Sequence, residues 1–215
     1  MPHLTIEWLK FLPSLVLLLT PVRIFHGDSV HVRAISRGWD RHWAQVLTLT
    51  LHGLDLTRAA LGSWLLIDSL SVPGAHGVAA QVPFLAQGAI RLAAVLLQTV
   101  PCKERDCVNA PFAFVIGLLL GGHSPLAAVF AIVLTVTLAS GARTPAAFFP
   151  LLALSFPAAS FLFGKVPLLQ KSAFGAGAAL LPWLWALLFS RELVVSYRAR
   201  PSVQSRSPLT AAKSR

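Results

Sequence analysis

Residues 108–140 read VNAPFAFVIGLLLGGHSPLAAVFAIVLTVTLAS, two apolar runs separated by a Gly-Gly-His-Ser-Pro turn. A helix that crosses a bilayer needs about 17–25 mainly apolar residues, and the two runs approach that length. The glycines and the proline of the turn allow a tight reversal of the chain. The stretch therefore predicts a close antiparallel pair of apolar helices. Gly117 and Gly121, four residues apart, favour the close approach of another helix.

Apolar segments of this kind recur along the whole chain of 215 residues, of which 55% are hydrophobic and 12% charged. A soluble domain carries roughly 25% charged residues, so most of this surface is expected to face something other than water. We predict an all-α fold, a polytopic integral membrane bundle of six or seven transmembrane helices over residues 1–190. The tail, residues 191–215, is basic and predicted to be disordered. The candidate spans are 4–22 (a marginal one), 43–67, 76–100, 108–121, 125–140, 146–164 and 173–190.

The basic residues predict an orientation. Lys and Arg number 18 against 8 Asp and Glu, and they lie mainly between and after the apolar segments. With seven spans, 13 of them fall on one side of the membrane, and Lys10, Lys165 and Lys171 fall on the other. The positive-inside rule then places the C-terminus in the cytoplasm of what we expect to be a bacterial plasma membrane. Anionic lipids at that face are the expected partner of the basic charge, and nucleic acid is not expected to bind.

Polar side chains follow helical spacing in two of the predicted spans. A charge near the bilayer centre costs about 2.5–3.5 kcal/mol or more, so these side chains should face each other or a water-filled cavity. They are Thr48, His52, Asp55 and Arg58 in the second span and Gln87, Arg91 and Gln98 in the third.

This polar stripe has two interpretations. In a structural network, Asp55 pairs with Arg91 or Arg58, and His52 and Gln87 bind the remaining polar atoms. Arg91→Ala is then expected to leave Asp55 unpaired and to destabilise the fold. In a ligand or proton site, the surplus positive charge binds a carboxylate, a phosphate or a lipid headgroup. His52 beside Asp55 could then transfer protons.

Residues 30–43 also have two interpretations. Arg33, Arg37 and Arg41 fall four apart on one helical face, and Val, Ile and Trp residues occupy another. That pattern is typical of an amphipathic interfacial helix, whose arginines would contact lipid headgroups. The alternative is an irregular connector whose arginines only set the topology, because Gly38 weakens the helical pattern.

Sequence motifs for enzymatic chemistry are absent. The chain has no His-Glu-x-x-His, no Gly-x-Ser-x-Gly and no phosphate-binding loop. Cys102 and Cys107 lack the further ligands that a zinc site requires, so no metal or cofactor is expected. We predict a non-enzymatic accessory, assembly or lipid-interacting membrane component, with a membrane protein as partner where it acts as a subunit. The alternative is a small carrier or channel for an anion or a proton.

Overall fold

The computed structural model describes residues 4–21, 30–32, 50–73, 81–99, 107–142, 145–163 and 168–197. Within these ranges the chain is mostly helical, which confirms the predicted all-α class, and each predicted apolar segment overlaps one helix. A short 3₁₀ turn, Pro145–Ala147, precedes the sixth helix. The helices are α1 (Trp8–Leu19), α2 (Thr50–Ser69), α3 (Val82–Gln98), α4 (Phe112–Gly122), α5 (Pro125–Ala142), α6 (Phe148–Phe163) and α7 (Leu168–Leu188).

Several helices are shorter than the apolar segments that predicted them. α1 has 12 residues and ends before Pro21, which cannot continue a helix. α4 has 11 residues and ends where His123 adopts an extended conformation after two glycines. Across the described ranges, no helix is both long enough and apolar enough to cross a membrane. The transmembrane part of the predicted fold therefore has no support from the helices themselves.

Two small sheets join segments that flank the helices. β1 (Thr5–Ile6) pairs antiparallel with β3 (Leu70–Ser71), so the start of α1 and the end of α2 meet. In the second sheet, β5 (Glu192–Tyr197) lies between β2 (Val30–Val32), which is antiparallel to it, and β4 (Cys107–Asn109), which is parallel. The second sheet therefore gathers the segments that follow α1 and α7 and the one that precedes α4. This is the grouping expected of helices that run alternately up and down.

The structure differs from the sequence prediction at two of these strands. Val30–Val32, predicted as the start of an amphipathic helix over 30–43, forms β2. Glu192–Tyr197, predicted as part of the disordered tail 191–215, forms β5. In both cases the backbone gains hydrogen bonds from a segment far away in the sequence, which no local pattern indicates. Residues 198–215 lie outside the described residues.

α4 is the most enclosed helix. Its buried side chains point in all directions, including Phe114, Val115, Leu118 and Leu119. At its start, the ring of Phe112 lies 5.1 Å from that of Phe148 and 4.6 Å from that of Phe149, measured between centroids. A helix that is apolar all round has to be covered all round. Accordingly α2, α3, α5 and α7 pack against α4, and the phenylalanines of α6 cover its start.

Gly117 and Gly121 bring α4 directly against α2. A Cβ on Gly117 would lie 2.3 Å from the carbonyl oxygen of Leu56, and a Cβ on Gly121 would lie 1.9 Å from that of Ala60. The prediction that this glycine pair marks a close helix contact is confirmed. The two contacts advance along both helices together, so α2 and α4 run in the same direction.

The outer surface is rich in large apolar side chains. In the described ranges they are exposed on every helix except α4. Leu9 of α1 is 92% exposed, and Phe161 of α6 and Leu188 of α7 are each 76% exposed. Several polar side chains lie inside instead, among them Gln87, Arg91, Gln98 and Thr135. The bundle thus exposes many large apolar side chains, while a smaller set of polar side chains is buried within an apolar core.

Candidate functional site

Asp55 and Arg58 form an ion pair on α2. The Nε of Arg58 lies 2.7 Å from Oδ1 of Asp55, and the two side chains are only 12% and 14% exposed. A spacing of three residues places both on one face of the helix. Of the two partners predicted for Asp55, Arg58 is therefore confirmed.

Arg58 also binds the C-terminal end of α1. Its Nη1 donates to the carbonyls of Leu17, at 3.2 Å, and of Thr20. Gln98 of α3 donates from its Nε2 to the same Thr20 carbonyl, at 3.0 Å. The last carbonyls of a helix have no partner within the helix and carry partial negative charge. Arg58 and Gln98 thus cap α1, and the Phe114 ring lies 5.0 Å from the Arg58 guanidinium carbon.

Gln87 and Arg91, one turn apart on α3, both reach backbone carbonyls of α2. The Nε2 of Gln87 donates to Ile67 at 2.9 Å, and Nη2 of Arg91 donates to Ser63 at 3.4 Å. The predicted role of Gln87 as a partner of the Asp55 pair is therefore wrong. Amide side chains that bind the backbone of a neighbouring helix are common where helices pack in an apolar environment.

Arg91 does not pair with Asp55, so the expectation that Arg91→Ala would leave Asp55 unpaired is also wrong. The reason is distance along α2. Arg91 lies level with Ser63, about 12 Å further along the helix axis than Asp55. Arg58, three residues from Asp55 on the same helix, reaches the carboxylate first, as i,i+3 spacing favours. What the sequence does not show is how far α3 is offset along α2.

The surroundings of Arg91 offer its charge little compensation. Its side chain is 5% exposed, and within the described ranges its Nε has no hydrogen-bond partner and no carboxylate pairs with it. The guanidinium lies against Gly122 at the end of α4. A Cβ on that glycine would lie 3.0 Å from Cζ of Arg91 and 2.5 Å from Oγ of Ser63.

The turn after α4 contributes a residue that the sequence did not indicate as part of an interior site. The ring of His123 packs edge-on against Phe156 of α6, with centroids 4.9 Å apart. Its Nε2 lies 3.1 Å from the position that a Cβ on Gly175 of α7 would take. An 11-residue helix rises only about 16 Å, so its C-terminal turn can lie within the bundle. The shortness of the fourth apolar segment was the available signal.

Of the remaining predicted site residues, the structure describes His52 alone. His52 is half-buried on α2, one turn before Asp55. Thr48 and the three arginines of the predicted interfacial helix, Arg33, Arg37 and Arg41, lie outside the described residues. The structure therefore brings Asp55 and Arg58 together and places Gln87 and Arg91 in a second group, against the other half of α2.

The interior of the bundle thus presents cationic and amide donors rather than metal ligands. No group of His, Cys, Asp and Glu in the described part of the chain is arranged to hold a metal ion. Such donors can bind backbone carbonyls, as most of them do here, or an anion. A comparison with protein-family models finds no match, and searches of curated proteins and of solved structures find none.

Proposed function

We propose that this protein is an integral membrane component without enzymatic activity, acting as an accessory, assembly or lipid-interacting subunit. One observation carries the proposal: large apolar side chains are exposed on six of the seven described helices, while polar side chains bind backbone carbonyls inside. Soluble monomers rarely expose large contiguous apolar patches. Helices in lipid have the opposite requirement and use small residues and interior polar contacts to associate, as α2 and α4 do.

The two shortest helices, α1 and α4, favour a locally deformed bilayer around them. A hydrocarbon core is about 30 Å thick, whereas the 12 residues of α1 rise about 18 Å. A helix shorter than the hydrocarbon core, as α1 and α4 are, is accommodated by local thinning of the lipid layer and by flanking cations that extend to the headgroups. Lys10 near the start of α1 and the basic segments between helices are suited to that role.

The proposed orientation follows from the charge distribution. The side that carries 13 basic residues faces the cytoplasm of a bacterial plasma membrane, and it includes the C-terminus. Arg33, Arg37 and Arg41 belong to that side and contact anionic headgroups in this proposal. A membrane protein bound in fixed stoichiometry would be the partner of an accessory subunit.

Flotation of native membranes tests the membrane assignment. Membranes from cells that produce the full chain are washed with alkaline carbonate and floated in a density gradient, which separates lipid-embedded protein from dense aggregates. We expect the chain to float after the wash and to be released only by detergent. Release by carbonate as a soluble, monodisperse protein would contradict the proposal. A known peripheral protein in the same membranes is the control.

A small carrier or channel for an anion or a proton is the second candidate, and the uncompensated charge of Arg91 favours it. Native mass spectrometry of the chain in lipid-preserving polymer discs distinguishes the two. A protein partner in fixed stoichiometry supports the accessory subunit. A chain that is isolated alone with a bound anion supports the carrier.

A further inference from the structure

We propose that the end of the bundle at which β1 pairs with β3 lies in the headgroup layer of the extracytoplasmic leaflet, with Trp8 as its anchoring side chain. Trp64 lies deeper, where the headgroups meet the acyl chains. This rests on the membrane role proposed above and defines which part of the surface contacts which layer of the lipid. It is carried by the exposure of the two indoles, by the charges beside them and by the apolar side chains beyond them.

Backbone contacts place Trp8 and Trp64 near the same end of the bundle. Glu7 donates its N–H to the carbonyl of Ser69 at 2.9 Å, and β1 pairs with β3, so the start of α1 is level with the end of α2. Trp64 comes five residues before Ser69, which is about 7.5 Å along a helix. The headgroup layer of one leaflet is about 5–7.5 Å thick. The two tryptophans are therefore separated by about the thickness of that layer.

Both tryptophans present much of their surface to whatever surrounds the bundle. Trp8 is 59% exposed and Trp64 is 58% exposed. An indole combines a large apolar ring with one N–H donor. Tryptophan is therefore enriched at the boundary between hydrocarbon and headgroups, where the ring contacts acyl chains and the N–H finds an acceptor.

The side chains beside Trp8 carry charges of both signs. The Nζ of Lys10 lies 2.9 Å from Oε2 of Glu7, and the two side chains are 42% and 58% exposed. Asp68, in the last turn of α2, is also exposed, and its carboxylate attracts Lys10. Such a cluster is too costly to place in hydrocarbon. It complements phosphatidylethanolamine, whose phosphate can face Lys10 and whose ammonium can face the carboxylates.

Further along α1 and α2 the exposed side chains are apolar. Val16 is 64% exposed and lies about 12 Å beyond Trp8, and Leu54 is 61% exposed and lies about 15 Å beyond Trp64. The exposed hydroxyl of Thr57 donates to a carbonyl of its own helix at 2.7 Å, so it does not require water. The surface thus changes from charged to aromatic to apolar, which is the order of layers from water to acyl chains. A protein partner would not impose that order.

Fluorescence quenching by nitroxide-labelled lipids tests the depth of each position. Full-length chains with one tryptophan each, the other five being replaced by phenylalanine, are reconstituted into vesicles of phosphatidylethanolamine and phosphatidylglycerol. A nitroxide near the start of the acyl chain should quench Trp8 and Trp64 at least about twofold more than a nitroxide near its end. Val16→Trp and Leu54→Trp, each in a chain without the native tryptophans, are the matched controls and should show the opposite preference.

Cysteine labelling is the second measurement, used also if the single-tryptophan chains do not fold. Both native cysteines are replaced by serine, and a membrane-impermeant maleimide is added from the extracytoplasmic side of native membranes. Trp8→Cys should react, because the headgroup layer is hydrated. Val16→Cys should react only after detergent is added, because acyl chains cover it.

The possible failures are distinguishable. Stronger quenching of Trp8 by the deep nitroxide, or labelling of Val16→Cys without detergent, would overturn the proposed depth and leave the membrane role intact. Protection of position 8 from both the nitroxides and the maleimide would identify a protein as the occupant of this surface and would also overturn the proposal. A chain that the lipid nitroxides quench at none of the four positions would contradict the membrane role itself.

Discussion

At the scale of single residues, the two buried arginines show that the structural role of a buried charge depends more on its partners than on its position in the helix. Both lie near the middle of their helices and both contact the backbone of a neighbouring helix. Asp55, three residues from Arg58, gives that arginine a counter-charge, and the end of α1 gives it carbonyl acceptors. Arg58 is therefore an integral part of the packing of α1 on α2, whereas Arg91 is buried with a single neutral acceptor, the Ser63 carbonyl.

Removing the Arg58 side chain should therefore be among the most damaging changes in the bundle. Arg58→Ala removes the guanidinium that pairs with the nearly buried Asp55 carboxylate and its hydrogen bonds to the end of α1, so we expect the free energy of unfolding to fall by about 3–5 kcal/mol. The double variant Asp55→Ala/Arg58→Ala should lose less than Arg58→Ala alone, because the buried negative charge is removed together with the positive one. Denaturation in detergent measures the free energy of unfolding of the wild-type chain, the two single variants and the double variant. Together they complete a double-mutant cycle for Asp55 and Arg58. Strictly additive losses would contradict the role assigned to the pair.

Gly121 provides a test of the contact between α2 and α4. Gly121→Ala places a methyl group where the Ala60 carbonyl lies, 1.9 Å from the new Cβ, so the two helices must separate. We expect a net loss of about 1–3 kcal/mol in the free energy of unfolding, although alanine favours the helix itself. Gly53→Ala on α2 is the matched control, because nothing lies within 4 Å of its Cβ position, and it should be neutral or stabilising. Equal effects of the two substitutions would show that the contact is looser than the structure indicates.

At the scale of the elements, the helices could be predicted from the sequence and the strands could not. Long apolar runs bounded by Pro, Gly and charged residues determine where α5 and α6 lie to within two residues. Strands of two to six residues have no comparable signal, because their hydrogen bonds come from distant segments such as β1 and β3. The same limit applied to the site: spacing indicated which residues share a face of α2 or α3, but not which carbonyls their side chains reach.

The β1–β3 pairing allows the meeting of α1 and α2 to be tested. Thr5 lies opposite Ser71 in an antiparallel pair, where Cα atoms are about 4.5–5.5 Å apart, a separation that a disulfide can bridge. Thr5→Cys/Ser71→Cys, in a chain with both native cysteines replaced by serine, should form a disulfide under mild oxidation. Mobility on a non-reducing gel detects it. Thr20→Cys/Ser71→Cys, with the first cysteine beyond the far end of α1, should not cross-link, and efficient cross-linking of that pair would contradict the arrangement.

At the scale of the whole molecule, the helix directions and the distribution of basic residues both fit helices that run alternately up and down. α1 runs antiparallel to α2, since Glu7 donates its backbone N–H to Ser69 at one end and Arg58 binds Thr20 nearer the other. α2 and α4 run in the same direction, as Leu56 and Ala60 against Gly117 and Gly121 show. The second sheet unites three segments that the alternation assigns to one side. That side is also the one that carries most of the basic residues.

This alternation predicts that the two ends of the chain lie on opposite sides of a membrane. A reporter of cytoplasmic location fused after Arg215 should be active, and the same reporter fused before Met1 should not. Removing residues 198–215 deletes five basic residues and still leaves the majority on the same side, so a reporter fused after Tyr197 should keep its location. Enzymatic reporters active on only one side of the membrane measure this directly. Two fusions on the same side would mean that α1 does not cross, and an extracytoplasmic C-terminus would overturn the proposed orientation.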